Sequence, residues 1–305
     1  MALVNSYALW NNKGGVGKST ISFHLAMRYA EKNPTRKVLV IDLCPQSNSS
    51  MMLLGGGTEG DERVVALCSN AVPKSVVGYV STVITNGRGA DLPDPYDFVI
   101  NVNEYNEGAP KNLYLLCGDG NMEPMAPAIN EAASAKALTP SAQPWKWILE
   151  IYKHFIENIT DDESEWMVFV DTNPSFSIYT QMAISAVERL ITPINADDSS
   201  KTAASAMVAL LHGTNPPHPI YGSWTFAEMA KTQGIRVPKI HLLIGNRLTQ
   251  FEGPATAFAA LSDATAEALY EIYKGNSNYF VEPKKEINNR EEFRNYYSVP
   301  LRDFN

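Results

Sequence analysis

Three glycines lie between two lysines in Lys13-Gly14-Gly15-Val16-Gly17-Lys18, and two hydroxyls, Ser19 and Thr20, follow at once. A polyphosphate is bound by backbone N–H groups that point inward, and side chains block that approach. Glycine removes the side chain, and the helix N-terminus that follows adds partial positive charge. In such a loop Lys18 would reach the β- and γ-phosphates of ATP, and Ser19 would hold Mg2+. The strict spacing G-x-x-x-x-G-K-[ST] is not met, because Asn12 stands where its first glycine belongs. The competing reading is a glycine-rich turn without a ligand. A strand pattern before the loop and a helix pattern after it favour the phosphate loop.

Those elements follow from periodicity. Ala2–Trp10 is a short apolar run of strand formers, and Ser19–Glu31 carries Ile21, Leu25, Ala26 and Tyr29 at helical spacing, stopped by Asn33-Pro34. Lys37–Leu43 is near-continuously apolar, as expected of a strand buried on both faces of a parallel sheet, and Asp42 lies at its end. Met167–Asp171 is a second such run that ends in an acid. Further strands are expected at Arg189–Ile194 and Lys239–Ile244. Helices are expected at Trp145–Ile159, Gln181–Val187, Ser199–Leu211 and Ala255–Lys274. A hairpin is expected between Phe98–Tyr105 and Asn112–Cys117. Strands alternating with helices predict an α/β fold, a mostly parallel central sheet flanked by helices on both faces. The chain is read as one domain over 1–305, with a variable insertion around 55–143 that carries no motif.

The loop resembles the deviant Walker A box, KGGxGK[ST], of the ParA/MinD/nitrogenase-iron-protein group of P-loop ATPases. The resemblance implies a nucleotide-sandwich homodimer formed on ATP and Mg2+, in which Lys13 reaches the partner's phosphates. It assigns Gly14, Gly15, Val16, Gly17, Lys18, Ser19 and Thr20 to the nucleotide, and Lys13, Lys18 and Asp42 to catalysis. Asp42, Pro45, Gln46 and Asn48 match the group's switch I pattern D-x-D-P-Q-x-N, but Cys44 replaces its second aspartate, the one that helps position the attacking water. A thiol is a poor substitute for a carboxylate acceptor, so slow hydrolysis is expected. Asp171-Thr172-Asn173-Pro174-Ser175 is similar to the group's D-x-x-P-S switch II, which gives Asp171 to Mg2+ along with Ser19 and Asp42. An acid at a strand's C-terminal end also sits on the rim where ligands bind in open sheets; the alternative is a helix cap. Asn246 stands where the group places an asparagine against adenine, and a turn-forming asparagine is the competing reading. Pro193, Asp197 and Ser200 resemble a post-strand stretch, assigned to architecture and the dimer surface.

Composition bounds the rest. The 305 residues carry a net charge of −8, which gives no support to a protein whose main task is coating DNA. At the C-terminus Lys284, Lys285, Arg290, Arg294 and Arg302 interleave with Glu282, Glu286, Glu291, Glu292 and Asp303. A solvated mixed-charge face and a DNA-contacting patch are both open there. Cys44, Cys68 and Cys117 show no CxxC spacing and read as reduced thiols, and the five histidines show no HxH or HExxH metal spacing. No apolar run reaches the roughly 20 residues of a membrane span, the tail lacks a membrane-seeking stripe, and a cytoplasmic location is expected. Two functions stand against each other. One is an ATP-driven switch that positions or partitions DNA or a protein cargo and answers to a stimulating partner. The other is a nucleotide-bound scaffold or sensor subunit that does not turn over. A metabolic enzyme on the same fold is a third reading, with no substrate residues to name.

Overall fold

A computed structural model describes residues 3–136, 143–160, 163–195, 200–214, 216–246 and 256–300. Two compact units divide the chain, Met1–Leu9 with Ser19–Val187, and Trp10–Lys18 with Glu188–Asn305.

The first unit runs from β1 (Leu3–Leu9) and α1 (Lys18–Lys32, with Lys18 itself in the second unit) through β2 (Lys37–Leu43), α2 (Asn48–Leu53), α3 (Gly57–Cys68) and α4 (Val76–Asn86). It continues with β3 (Ile100–Asn101), β4 (Leu113–Leu116), α5 (Met122–Ser134), α6 (Pro144–Leu149), α7 (Ile151–Ile159), β5 (Trp166–Thr172) and α8 (Ile178–Ala186). Its strands are ordered β3-β4-β2-β5-β1. β2 lies parallel between β4 and β5, and β1 is parallel to β5. Every residue of β5 is buried, as is all of β2 after Lys37. Successive strand residues point to opposite faces, so a run buried throughout must be covered on both. This is the mostly parallel α/β arrangement that the apolar runs indicated.

Three local expectations change. The hairpin shrinks to two antiparallel pairs, Ile100↔Leu115 and Asn101↔Tyr114. Asn101 diverts the chain there: its side chain accepts from Asn103 N at 3.0 Å, starting a 3-10 turn, and donates to Lys111 O at 2.8 Å. The helix expected over 145–159 is broken at Glu150 into α6 and α7. Between residues 55 and 143, where no helix was expected, the chain forms α3, α4 and α5. α4 (VVGYVSTVITN) is rich in β-branched residues, but Ser75 caps it by accepting from Gly78 N at 3.1 Å. Glycine is required at 78, because a Cβ there would lie 1.9 Å from the Pro73 carbonyl oxygen.

The second unit carries β6 (Arg189–Asn195), α9 (Ser200–His212), α10 (Phe226–Gln233), β7 (Lys239–Asn246), α11 (Thr256–Gly275), α12 (Arg290–Tyr297) and β8 (Ser298–Pro300). β6, β7 and β8 are parallel neighbours. The tail, polar in sequence, is ordered by aromatic packing. Tyr273 of α11, Phe280, and Phe293 and Tyr297 of α12 form a cluster with ring centroids 4.9–5.9 Å apart, and the last three rings are fully buried. No described helix is long and apolar enough to cross a membrane.

Candidate functional site

The glycine loop lies in the second unit and is braced by asparagines. Asn11 Nδ2 donates to Pro193 O at 2.7 Å, and Asn11 Oδ1 accepts from Lys13 N at 3.0 Å. Asn195 Nδ2 donates to Gly15 O at 3.4 Å, and Asn246 Nδ2 donates to Val16 O at 3.0 Å. Asn195 on β6 and Asn246 on β7 thus hold two of the loop's carbonyls, and the Pro193 carbonyl on β6 holds the Asn11 side chain. Gly15 and Gly17 have φ of 70° and 84°, a region that only glycine enters at little cost. Space does not require glycine at 15, since a Cβ there would meet nothing within 4 Å. Lys18 is buried, and its Nζ donates to Lys13 O at 3.1 Å and Asn11 O at 3.3 Å. The ammonium is thus curled into the loop that precedes it. Gly14, Gly15 and Thr20 are exposed, while Lys13 is half-buried.

The acids lie in the first unit. β2 and β5 run in register so that Asp42 stands directly beside Asp171, both fully buried. The first turn of α2 satisfies them with consecutive serines. Ser49 Oγ donates to Asp171 Oδ2 at 2.6 Å, and Ser50 Oγ donates to Asp42 Oδ2 at 2.7 Å. Ser50 N adds a bond to the same Asp42 oxygen at 2.9 Å, and Cys44 N donates to Asp42 Oδ1 at 3.1 Å. Thr172 N donates to Asp171 Oδ1 at 3.0 Å. Burial, and then the neighbouring Asp171 charge, push the Asp42 carboxyl up to about 7 against the opposing pull of its Ser50 and Cys44 hydrogen bonds. Two adjoining carboxyl groups are a donor set suited to a divalent cation. Ser19, the hydroxyl assigned to that ion, is half-buried, and its carbonyl lies 3.3 Å from Ser49 Oγ.

Five residues here were not singled out by sequence reasoning: Asn11, Ser49, Ser50, Gly118 and Asn195. Gly118 follows β4, and its N–H donates to Ser50 Oγ at 2.9 Å. A signal for Asn11 existed, an amide at the strand-to-loop corner; serines in a first helical turn carry none. Within the segment that resembles switch I, Ser47 is the sole described non-glycine residue at positive φ, 51°, and its buried hydroxyl has no hydrogen-bond partner. Such strain costs about 1–3 kcal/mol and collects at functional segments. In the segment that resembles switch II, Thr172 Oγ1 donates to Leu9 O at 2.7 Å, and Ser175 O accepts from Thr180 Oγ1 of α8 at 2.7 Å. Asp197, Arg302 and Asp303 lie outside the described residues, and of Ser200 only the backbone is described. Lys284, Lys285, Arg290 and Arg294 are exposed among exposed glutamates. The three cysteines are free thiols.

Residues 4–103 match the family model of the AAA domain. A search of curated proteins finds no match. Among solved structures, the chain is similar to an ATP complex of McdA from Cyanothece, with 15% identity, a TM-score of 0.59, and 88% of this chain and 80% of that one covered. It is similar to the ParA of pNOB8 bound to nonspecific DNA, with 17% identity, a TM-score of 0.57, and 98% and 86% covered. It is also similar to cobyrinic acid a,c-diamide synthase from Mycobacterium smegmatis with an ATP analogue and magnesium, with 14% identity, a TM-score of 0.52, and 95% and 91% covered. These identities speak for the fold, which is that of ParA/MinD-type P-loop ATPases, and together with the AAA domain match they support the resemblance read from the glycine loop.

Proposed function

We propose that this chain, on its ParA/MinD-type P-loop ATPase fold, is a cytoplasmic ATP-binding switch that dimerises on ATP and Mg2+ and hydrolyses ATP slowly. The observation that carries the reading is the loop itself: two lysines, glycines in left-handed conformation, and braces from β6 and β7 that engage its carbonyls. Lys18 exchanges its two carbonyl acceptors for phosphate oxygens. Lys13 of each copy serves the phosphates of the other. Ser19, Asp42 and Asp171 would hold Mg2+, which would supply positive charge to the nucleotide's phosphates. Thr20 lies at the phosphate end of the site, and Asn246 meets the adenine base.

The pair of buried acids supports this reading, since burial and then the adjoining Asp171 charge push the Asp42 carboxyl up, and a bound cation would add counter-charge. The similar structures bind ATP, an ATP analogue with magnesium, or nonspecific DNA, as their descriptions state. A protein cargo or stimulating partner fits the −8 net charge better than a DNA-coating role. Cys44 specifically favours a second reading, a scaffold or sensor that keeps its nucleotide intact.

Solution mass by light scattering over hours, with Mg2+ plus ATP, ADP or neither, tests both. A dimer that forms with ATP and decays as ATP is consumed supports the hydrolysing switch. A dimer that persists over intact ATP supports the scaffold. No change of mass with any nucleotide, or a Lys13→Ala protein that dimerises like the parent, overturns the sandwich.

A further inference from the structure

The two serines that open α2 look equivalent in sequence but are bonded differently. Ser50 is saturated. Its hydroxyl donates to Asp42 at 2.7 Å, it accepts from Gly118 N at 2.9 Å, and its own N–H donates to Asp42 at 2.9 Å. Ser49 has one hydroxyl hydrogen and two acceptors within reach, Asp171 Oδ2 at 2.6 Å and Ser19 O at 3.3 Å. A hydroxyl rotates its hydrogen freely and serves one acceptor at a time. The carboxylate wins here because a bond to a charged acceptor is shorter and stronger than one to a neutral carbonyl. Ser49 is fully buried, so water offers no third choice.

We propose that Ser49 is a positioning residue whose hydroxyl changes acceptor with the cation, donating to Asp171 when no divalent cation is bound and to the Ser19 carbonyl when one is. This rests on the reading of Ser19, Asp42 and Asp171 as a Mg2+ site. A cation on Asp171 repels the hydroxyl hydrogen and competes for the same oxygen, and the Ser19 carbonyl is the next acceptor already in place. No heavy atom has to travel. The tether of α2 then passes from the end of β5 to the start of α1, directly after the glycine loop. Switch I, which leads into α2, thereby registers whether the metal is present. Ser50 keeps Asp42 in place throughout.

The test compares the parent, Ser49→Ala and Ser49→Thr by calorimetric titration with ATP, in excess Mn2+ and in EDTA. Removing the competing hydroxyl makes Ser49→Ala bind ATP about tenfold tighter than the parent in Mn2+, the difference in worth between a hydrogen bond to a charged group and one to a neutral carbonyl. In EDTA the three proteins bind alike, and Ser49→Thr matches the parent in both. An alanine protein that binds equally or more weakly in Mn2+, or that differs from the parent in EDTA, overturns the inference. A purely structural role predicts weaker binding under both conditions. If Ser49→Ala does not fold, hydrogen exchange on the parent decides: adding Mn2+ to the ATP-bound protein must change exchange of the α2 amides, and unchanged exchange overturns the inference. A parent that binds no ATP, or whose affinity ignores Mn2+, removes the Mg2+ site reading itself, an outcome distinct from the variant result.

Discussion

Gly118 and Asp42 approach so closely that a Cβ at residue 118 would lie 2.9 Å from the Asp42 carboxyl carbon and 2.7 Å from Ser47 Oγ. Neither neighbour is a free-swinging chain end, since Asp42 is fixed by Ser50 and Cys44 and Ser47 is buried. Gly118→Ala therefore pushes Asp42 away from Ser50. It is expected to destabilise the protein by about 1–3 kcal/mol, the usual cost of overpacking a tight site. Urea unfolding of parent and variant measures it, and a difference under about 0.5 kcal/mol would mean that this contact relaxes freely.

Cys44 is buried beside Asp42, and its backbone N–H already bonds that carboxylate. Cys44→Asp restores the acid of the D-x-D-P-Q-x-N pattern and is expected to raise steady-state ATP turnover about tenfold or more, within the range of a positioned acid–base group. It also adds a third buried carboxyl group, so stability without cation should fall by at least about 1 kcal/mol and recover in Mg2+. Unchanged turnover with intact ATP binding would show that the missing acid does not set the rate.

His212 stacks on Tyr279 with ring centroids 4.0 Å apart, its Nε2 has no hydrogen-bond partner, and burial lowers its pKa to about 4. An unfolded histidine titrates near 6.5, so between these values the unfolded chain holds more protons. The contribution is complete above about pH 6.5 and is lost as pH falls through about 4, by about 3 kcal/mol at most. The difference in unfolding free energy between the parent and His212→Phe, which keeps a ring on Tyr279, should shrink or reverse in sign with pH over that window. A flat difference refutes the assignment.

Phe293 is fully buried among Tyr270, Tyr273, Phe280 and Tyr297. Phe293→Ala should cost about 3–5 kcal/mol and release α12, seen as faster proteolysis after Pro283. Glu291→Ala, on the exposed side of the same helix, should change stability by less than about 0.5 kcal/mol.

The glycine loop and the strands that end at Asp42 and Asp171 were legible because chemistry restricts their residue types: glycine where φ is positive, unbroken apolar runs where both faces are covered. The braces were less so. Asn11, Ser49 and Ser50 are small polar residues that occur in any loop or helix start, and only the register of β2 beside β5 gives the serines two acids to serve. α12 was hidden because its apolar side is two residues, Phe293 and Tyr297, amid charges, and its partners Tyr273 and Phe280 come from outside the helix. The break at Glu150 has no glycine or proline to announce it. Glu150 instead bonds Lys153 at 3.0 Å while its own backbone leaves the helical path.

The outermost strands have a consequence for self-association. β3 closes the strand order of the first unit with two residues, and β8 closes that of the second with three, the last of them Pro300, which has no N–H to offer. A ladder grows onto another chain only from a long edge with donors and acceptors exposed in alternation. These margins supply neither the length nor the donors. At these two described edges, joining backbone to backbone is thereby disfavoured, and a pairing there has to be written in side chains and loop surfaces, where a bound small molecule can decide whether it forms.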